Sequence, residues 1–204
     1  MSQEQGSAGS TSALGSDPLA TLAAAVKPSA GRESHDLLGG PDWITGRPPP
    51  PLAKWNPSHC GDIGMEIRED GSWWHQGAPI KRQELVRLFA SILRREEDGE
   101  FYLVTPVEKV IVRVALHPLR VIDAEPLQGH TPKTLILTLN TGGQVPLDAR
   151  HPLALEPRAA NAAFVALDNG LTALFTRAAW YRLAELADGN GVLESGACRI
   201  SLLD

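Results

Sequence analysis

The feature that most constrains this chain is a tight Asp-Gly turn between two short segments with strand-like patterning. From residue 63 to residue 67, apolar and polar side chains alternate, which is the period of a strand with one buried face. Asp70 and Gly71 follow, a pair favoured in two-residue hairpin turns, and residues 72–75 return as a second strand. The pattern predicts a β-hairpin near the start of the folded part.

A helix is predicted after this hairpin, over residues 81–96. At about 100° per residue, Arg87 and Arg94 fall opposite its apolar stripe, where we expect them to face water or an anionic partner. Arg95 falls on the flank of the stripe, where a guanidinium can reach across a boundary between domains and fork onto a carboxylate or a phosphate. The stripe itself consists of Leu85, Leu88, Phe89, Ile92 and Leu93.

The C-terminal third repeats the order of elements found in the first half. In both places a hairpin with an x-Gly turn is followed by a helix and then by two strands. The regular alternation of strand and helix that is typical of a parallel sheet does not occur in this sequence. The sequence therefore predicts an α+β fold with a duplicated hairpin–helix–two-strand unit and mainly antiparallel sheets. The elements predicted after the first helix are strands over 100–104, 107–116, 119–125, 134–139 and 144–147, a hairpin over 164–175, a helix over 177–187 capped by Thr176, and strands over 192–195 and 198–202.

Three segments are predicted along the chain. Residues 1–51 form a disordered tail with a proline-rich linker, because the first residues are small and polar and the segment ends in Arg-Pro-Pro-Pro-Pro. Within this tail Pro18 can start a short helix that is frayed or packed locally. The first β-hairpin and helix unit spans residues 52–117. The second unit, with the extra antiparallel strands, spans residues 118–204.

The charge and the cysteine content limit the classes of function. A formal net charge of -5 argues against a nucleic-acid binder. No apolar run approaches the roughly 20 residues that span a bilayer, and the first residues lack the pattern of a secretory signal. Cys60 and Cys198 are too few for a disulfide framework. We expect a cytoplasmic protein with reduced thiols and no membrane partner.

Polar residues that could carry chemistry cluster around the first unit. His59, Cys60 and Asp62 enter the first strand, while Glu108 and Lys109 lie at a strand junction. A hydrolase-like site using His59, Cys60 and Glu108 is one interpretation. Neighbours along an extended chain point to opposite faces, however, so His59 and Cys60 are poorly placed to share a proton. Ordinary turn and surface roles are the other interpretation.

A metal site is a further interpretation of the same region. His59, Cys60, Asp62 and His75 are potential ligands, but their spacing is not typical of a metal site. No phosphate-binding or dinucleotide-binding glycine motif is present either, and Gly142-Gly143 is better explained as a hairpin turn. We therefore predict neither a metal nor a cofactor.

The first-half motifs resemble those of a bacterial family defined as a domain of unknown function, DUF1285. The resemblance continues, less sharply, into the predicted helix that contains Trp180 and Tyr181. It implies a duplicated core whose C-terminal half is superficially like a pleckstrin-homology fold. It also implies a ligand site for a nucleotide-like molecule at the interface of the two units, and a role in signalling. The segments that carry the resemblance are His59-Cys60-Gly61-Asp62-Ile63, Asp70-Gly71, Pro79-Ile80, Leu85-Val86-Arg87-Leu88-Phe89, Leu93-Arg94-Arg95-Glu96 and Tyr102 to Lys109.

The leading hypothesis is therefore an uncharacterised, non-catalytic ligand-binding or sensing module for an anionic, nucleotide-like ligand. Lys109 and Arg95 would neutralise the ligand, and Thr105 and Glu108 would orient it by hydrogen bonds. Two alternatives stay open. One is the hydrolase-like enzyme, and the other is a protein-interaction module that engages another chain through the basic helix face and the N-terminal tail. The residues predicted to line the ligand site are His59, Asp62, Arg95, Thr105, Glu108 and Lys109.

Overall fold

The computed structural model describes residues 18–25, 50–58, 60–129 and 131–202. Most of the predicted N-terminal tail, including the first two of the four consecutive prolines, lies outside the described residues. His59 lies outside them as well, so its predicted roles stay predictions.

The first unit is built on a six-stranded sheet with strand order β3-β2-β1-β6-β5-β4. Helix α1 (Pro18–Ala25) precedes it, and helix α2 (Gln83–Ser91) connects β3 to β4. The predicted hairpin corresponds to β1 and β2 and is confirmed. The strands are β1 (Cys60–Ile67), β2 (Trp73–His75), β3 (Ala78–Pro79), β4 (Leu93–Arg95), β5 (Phe101–Val104) and β6 (Lys109–Val114).

The second unit is built on another six-stranded sheet, with strand order β10-β11-β12-β7-β8-β9. Helix α3 (Arg177–Glu185) follows β12, and the Thr176 side chain caps it by accepting a hydrogen bond from the Ala179 amide, as predicted. The strands are β7 (Leu119–Pro126), β8 (Leu135–Leu139), β9 (Gln144–Pro146), β10 (Leu153–Glu156), β11 (Ala162–Ala166) and β12 (Thr172–Phe175), and a separate hairpin contains β13 (Val192–Ser195) and β14 (Cys198–Ser201).

The two sheets share one topology. In each, two three-stranded antiparallel meanders are joined by a parallel pair between the first and last strands, β1 with β6 and β7 with β12. The predicted α+β class, the duplication and the mainly antiparallel character are confirmed. The alignment of the two copies differs from the prediction. The sequence pattern aligned the first hairpin, β1 and β2, with the hairpin over residues 164–175, which contains β11 and β12. In the structure β1 corresponds instead to β7. The helix lies between the meanders in the first unit and after them in the second.

The helix predicted over residues 81–96 ends earlier in the structure. Ile92 leaves the helical conformation, and β4 pairs with β5 through Leu93 opposite Leu103. Ile92 and Leu93 are both fully buried, so they satisfied the helical apolar pattern although they lie beyond the helix. The prediction that Arg94 lies on the outward face of a helix is therefore wrong.

Helix α1 lies inside the segment predicted as a tail, and the short helix predicted from Pro18 is confirmed. Leu22 is only 1% exposed and belongs to the hydrophobic core, and Leu19 packs against that core. The helix contacts α2.

In the part of the chain that the structure describes, no helix combines the length and the apolar character needed to cross a lipid bilayer. The implied pleckstrin-homology likeness of the C-terminal half stays a prediction.

Candidate functional site

Three arginines cross the junction between the two units, and each packs on a glycine turn of the opposite unit. The first is Arg120 at the start of β7. Its guanidinium donates a 2.9 Å hydrogen bond to the Glu69 carbonyl oxygen in the turn between β1 and β2. A Cβ atom added to Gly71 would lie only 2.7 Å from Arg120 Cγ. The glycine therefore allows the arginine stem to cross the turn directly.

The second crossing joins helix α2 to the turn between β8 and β9. Arg87 Nε donates a 2.9 Å hydrogen bond to the Thr141 carbonyl oxygen. A Cβ atom added to the adjacent Gly142 would lie 3.0 Å from a terminal nitrogen of Arg87. The Thr141 hydroxyl is buried here and has no hydrogen-bond partner among the described residues.

The third crossing joins β4 to the turn between β11 and β12. A Cβ atom added to Gly170 would lie 3.0 Å from Arg95 Cβ. Arg95 Nε donates a 2.9 Å hydrogen bond to the Gly99 carbonyl oxygen, and its guanidinium lies 5.6 Å from the centre of the Phe101 ring. The side chain is otherwise exposed at the junction, as expected for a guanidinium on the flank of an apolar face.

These three arginines differ from the described arginines and lysine that form carboxylate ion pairs. Arg87, Arg95 and Arg120 donate to backbone carbonyls, and within the described residues none of them forms an ion pair with a carboxylate. Burial lowers the pKa of Arg120, and the charge of Asp70 partly opposes that effect. The arginines and the lysine that do form carboxylate ion pairs are Arg94 and Lys109 with Glu96, Arg113 with Asp62, Arg150 with Asp168, Arg158 with Glu156, Arg182 with Asp123 and Arg199 with Glu194.

Lys109 lies in an ion-pair network within the first unit. Glu96 accepts 2.5 Å hydrogen bonds from both Lys109 and Arg94. Burial raises the pKa of the Glu96 carboxyl, but the hydrogen bonds from Lys109 and Arg94 outweigh it, so the net pKa is lowered. The ammonium of Lys109 also lies 4.6 Å from the centre of the Tyr102 ring. Its positive charge is therefore already balanced by a neighbour.

Tyr102 and Arg94 extend this network. The Tyr102 hydroxyl donates a 2.8 Å hydrogen bond to Asp98, and this bond, together with burial, raises the pKa of Tyr102 to about 12. Arg94 donates to the backbone carbonyls of Leu52 and Trp55 at 3.0 and 3.2 Å. Arg94, predicted to face water or an anionic partner, therefore anchors the segment before β1.

The other predicted site residues have local roles. The Thr105 hydroxyl is buried and donates to the Glu108 carbonyl oxygen at 2.9 Å, which closes the turn between β5 and β6. Asp62 accepts hydrogen bonds from the Gly64 amide and from Arg113. The Glu108 carboxylate forms no hydrogen bond or ion pair in the described chain.

The described hydrogen bonds and ion pairs of the predicted set lie within the first unit. The hydrogen bonds and ion pairs of Asp62, Thr105 and Lys109 are all to residues of the first unit. Arg95 is the member of the set that packs against the second unit.

Cys60, proposed as a nucleophile in the alternative interpretation, is exposed and lies directly opposite Lys109 in the parallel pairing of β1 with β6. Among the described residues, no group of three or more His, Cys, Asp or Glu side chains could hold a metal ion.

Sequence reasoning missed a second buried polar cluster, centred on His117 in the connection between β6 and β7. His117 Nδ1 lies 2.7 Å from Thr172 Oγ1, and Nε2 lies 3.2 Å from a Glu156 oxygen without hydrogen-bond alignment. Glu156 forms a two-pronged ion pair with Arg158. The hydrogen bonds from Arg158 lower the pKa of Glu156 to about 2. The sequence gives no sign of this cluster, because its members are far apart in the chain.

The sequence also gave no sign of a role for Arg120. The glycine turns that the three arginines contact were, in contrast, indicated by the sequence. The turns at Asp70-Gly71, Gly142-Gly143 and Asn169-Gly170 carry clear sequence signals. Their arginine partners have no local signal, since contact across the junction depends on how the two sheets are placed.

Comparison with known proteins agrees with this division into two units. The N-terminal domain of the DUF1285 family, a domain of unknown function, matches residues 50–115. The C-terminal domain of the same family matches residues 118–200. A search of curated proteins gave no match.

Two crystal structures are similar to this chain. A DUF1285 family protein from Silicibacter pomeroyi DSS-3 is 36% identical, with a TM-score of 0.72, and the match covers 92% of this chain and 95% of that one. A DUF1285 family protein from Shewanella baltica OS155 is 29% identical, with a TM-score of 0.52, and covers 62% of this chain and 94% of that one. The two domain matches and the similarity to the Silicibacter pomeroyi protein over 92% of this chain lead to one assignment: the chain belongs to the DUF1285 family.

Proposed function

We propose that this protein is a non-catalytic binding module that holds a small anionic ligand at the junction of its two units. A role in sensing or signalling would follow, because such a ligand would contact both halves. The observation that carries the proposal is the set of three junction arginines, Arg87, Arg95 and Arg120, which form no carboxylate ion pair within the described chain.

The hydrogen-bonding capacity of these arginines supports an oxyanion ligand. A guanidinium has five N–H donors. Arg87 and Arg95 each donate only through Nε within the described chain. Their terminal nitrogens, arranged as a planar fork that suits carboxylate and phosphate groups, stay available. Both side chains are exposed, so a ligand can reach them from solvent.

The chemistry of the neighbouring turn also favours a ligand with phosphate groups. The buried Thr141 hydroxyl, next to the carbonyl that receives Arg87, lacks a hydrogen-bond partner in the described chain. Buried polar groups usually have a partner. The ligand class that we propose is a phosphate-bearing, nucleotide-like molecule. Of the site residues predicted from the sequence, Arg95 is retained. Arg87 and Arg120 replace Lys109 as the residues that would neutralise the ligand.

The test is a thermal-shift and calorimetric screen with nucleoside mono-, di- and triphosphates, cyclic nucleotides and inorganic phosphate. A ligand at about 100 times its dissociation constant stabilises a protein by about 2.7 kcal/mol, and we expect at least one panel member to do so. The Arg95→Gln variant should bind that member more weakly. Arg113→Gln is the matched control, because Arg113 is also exposed but is paired with Asp62 on the first sheet.

Two outcomes would contradict the proposal. One is a panel without any shift in melting temperature. The other is equal loss of binding in the Arg95→Gln and Arg113→Gln variants, which would show a nonspecific effect of positive charge.

A further inference from the structure

The two six-stranded sheets have four edge strands, β3 and β4 in the first and β9 and β10 in the second. Strand β3 contains Pro79 and β9 contains Pro146, and a proline lacks the N–H group that a further strand would need. The β4 edge is covered, because the turn at Gly170 lies against Arg95. Strand β10 contains no proline, and β11 is its one strand neighbour in the described chain.

The register of β10 with β11 shows which of its backbone groups point outward. The Ala166 amide donates a 3.0 Å hydrogen bond to the Pro152 carbonyl oxygen, and the same register continues along all of β10. Alternate residues of an antiparallel strand bond to the same neighbour, so residue 154 also bonds to β11. The N–H and C=O groups of Leu153 and Leu155 therefore point away from β11, towards the open side.

The side chains of these two leucines lie on the face of the sheet that carries the core. Leu155 lies opposite the buried Ala163, yet it is 52% exposed, since no strand lies beyond it in the described chain. Leu153 is half-buried and packs against the core. An exposed leucine beside outward backbone groups is a combination that edge strands usually avoid. The edge therefore offers both hydrogen bonds and apolar surface.

We propose that a second copy of this chain binds at this edge, with β10 of the two copies pairing antiparallel around Ala154. This register places Leu153 of each copy directly opposite Leu155 of the other as hydrogen-bonded pairs. The outward N–H and C=O groups of both residues are then paired in both copies. The two second-unit sheets become one continuous sheet, and their core-bearing faces lie on the same side.

The sequence of β10 favours a second copy over another extended segment. Pro152 and Pro157 flank the strand, so the open ladder is short, and a copy of β10 has the same length. Each exposed Leu155 would pack beside Leu153 of the other copy. Ala154, which is small and exposed, would face itself at a pair without hydrogen bonds, where two strands approach most closely.

The charges beside β10 are compatible with this pairing. Arg150 of one copy would come opposite Arg158 of the other. Within its own chain Arg150 pairs with Asp168 and Arg158 pairs with Glu156, so the pairing brings together no uncompensated cations. An interface of a few residues is small, and we expect a weak dimer that depends on concentration. This interaction is independent of the anion site at the junction of the two units.

Sedimentation equilibrium of the full-length protein from about 10 µM to about 1 mM tests the proposal. The weight-average mass should rise from 21.9 kDa towards twice that value. The Leu155→Lys variant should dimerise at least about tenfold more weakly, because a charge on an edge strand opposes the addition of another strand. Val107→Lys adds the same charge at a residue that is 70% exposed in the first unit. It is the matched control and should behave as the wild type.

Amide hydrogen exchange, resolved to single residues, gives a second measurement that needs no variant. The amides of Leu153 and Leu155 should exchange at least about five times more slowly at the high concentration than at the low one. The Ala154 amide, which points towards β11, should not change and serves as the internal control.

Three outcomes would overturn the proposal. One is a mass that stays at that of a single chain up to the highest concentration. Another is equal weakening of the dimer by Leu155→Lys and Val107→Lys, which would place the contact elsewhere or show a general effect of charge. The third is protection of the Leu153 and Leu155 amides that does not depend on concentration, because another segment of the same chain would then cover the edge.

Discussion

His117 Nδ1 lies 2.7 Å from Thr172 Oγ1, and this contact ties the connection between the two sheets to the second sheet. The ring also packs 4.8 Å, centre to centre, from Phe164. The histidine is therefore held by residues of one unit while it belongs to the segment that joins both. We therefore expect protonation of His117 to weaken the contact of that segment with the second sheet.

The first prediction concerns pH. Burial lowers the pKa of His117, and Glu156 opposes this only in part, while Arg158 and Arg120 add to the lowering. A histidine whose pKa is lower in the folded than in the unfolded state contributes stability above its unfolded pKa, about 6.5, and loses it as the pH falls below that value. The Glu156 carboxyl, with a pKa of about 2, stays ionised throughout this range.

We therefore expect the urea midpoint of the wild-type protein to fall between pH 7.5 and pH 5. The same decrease should be smaller in His117→Asn, which cannot be protonated in this range. An equal pH dependence in the two proteins would show that His117 does not control it.

The second prediction tests the contact of Arg120 with Gly71. Gly71→Ala should destabilise the protein by about 1–3 kcal/mol through overlap with Arg120 Cγ, beyond the cost of a positive backbone φ. Gly77→Ala is the matched control, because Gly77 has the same φ of 79° but has nothing within 4 Å of an added Cβ. Chemical denaturation gives the loss in the free energy of unfolding for each variant, and the difference between the two losses measures the cost of the contacts at Gly71.

The Arg120→Ala background completes this experiment. In that background the extra cost of Gly71→Ala over Gly77→Ala should fall, because Arg120 Cγ is gone and only the 3.0 Å approach to Asn140 Nδ2 remains. An unchanged extra cost would show that the contact with Arg120 is not its origin.

The third prediction concerns the Glu96 network. Glu96→Gln leaves two cations without their counter-charge, and the paired side chains are only 18–19% exposed. We expect a loss of about 1–3 kcal/mol in the free energy of unfolding. Asp62→Asn breaks an ion pair whose side chains are 63% and 44% exposed, and it should cost less than about 1 kcal/mol. Similar losses in the two variants would contradict this ranking.

The fourth prediction separates the binding module from the hydrolase alternative. Cys60 is exposed, but the Lys109 opposite it in the sheet is engaged by Glu96. We expect Cys60 to react with iodoacetamide at neutral pH as an ordinary exposed thiol, since activated cysteines require a nearby group that stabilises the thiolate. Peptide mapping after alkylation, with Cys198 as the internal reference, measures this. A much faster reaction of Cys60 would favour the enzyme.

Much of the local structure could be predicted because its causes are local. The alternation over residues 63–67 and the Asp70-Gly71 turn specify β1 and β2, and Thr176 specifies the start of α3. The end of α2 could not be predicted in the same way. Ile92 and Leu93 are buried equally well by a helix or by a strand, and the choice depends on the pairing of β4 with β5.

For the candidate site, the sequence indicated Arg95 as a residue that reaches another domain, and the structure places it against Gly170 of the second unit. Lys109 had the right charge for an anion site, but Glu96, thirteen residues away, neutralises it. Arg120 carried no local signal at all. Charge can be read from a sequence, whereas the partner of a charge is fixed by contacts between distant segments.

By itself the sequence determined most of the strands, the hairpin turns, the helix cap and the existence of two similar halves, because hydrophobic period and turn chemistry act over a few neighbouring residues. It did not indicate β3, β4 or β10. Only the tertiary structure decided the parallel pairs β1–β6 and β7–β12, and with them which strand of one copy corresponds to which strand of the other. It also decided that three arginines meet three glycine turns at the junction. These features depend on segments some 50 residues apart, such as Gly71 and Arg120, and the placement of such segments follows from the burial of the whole core.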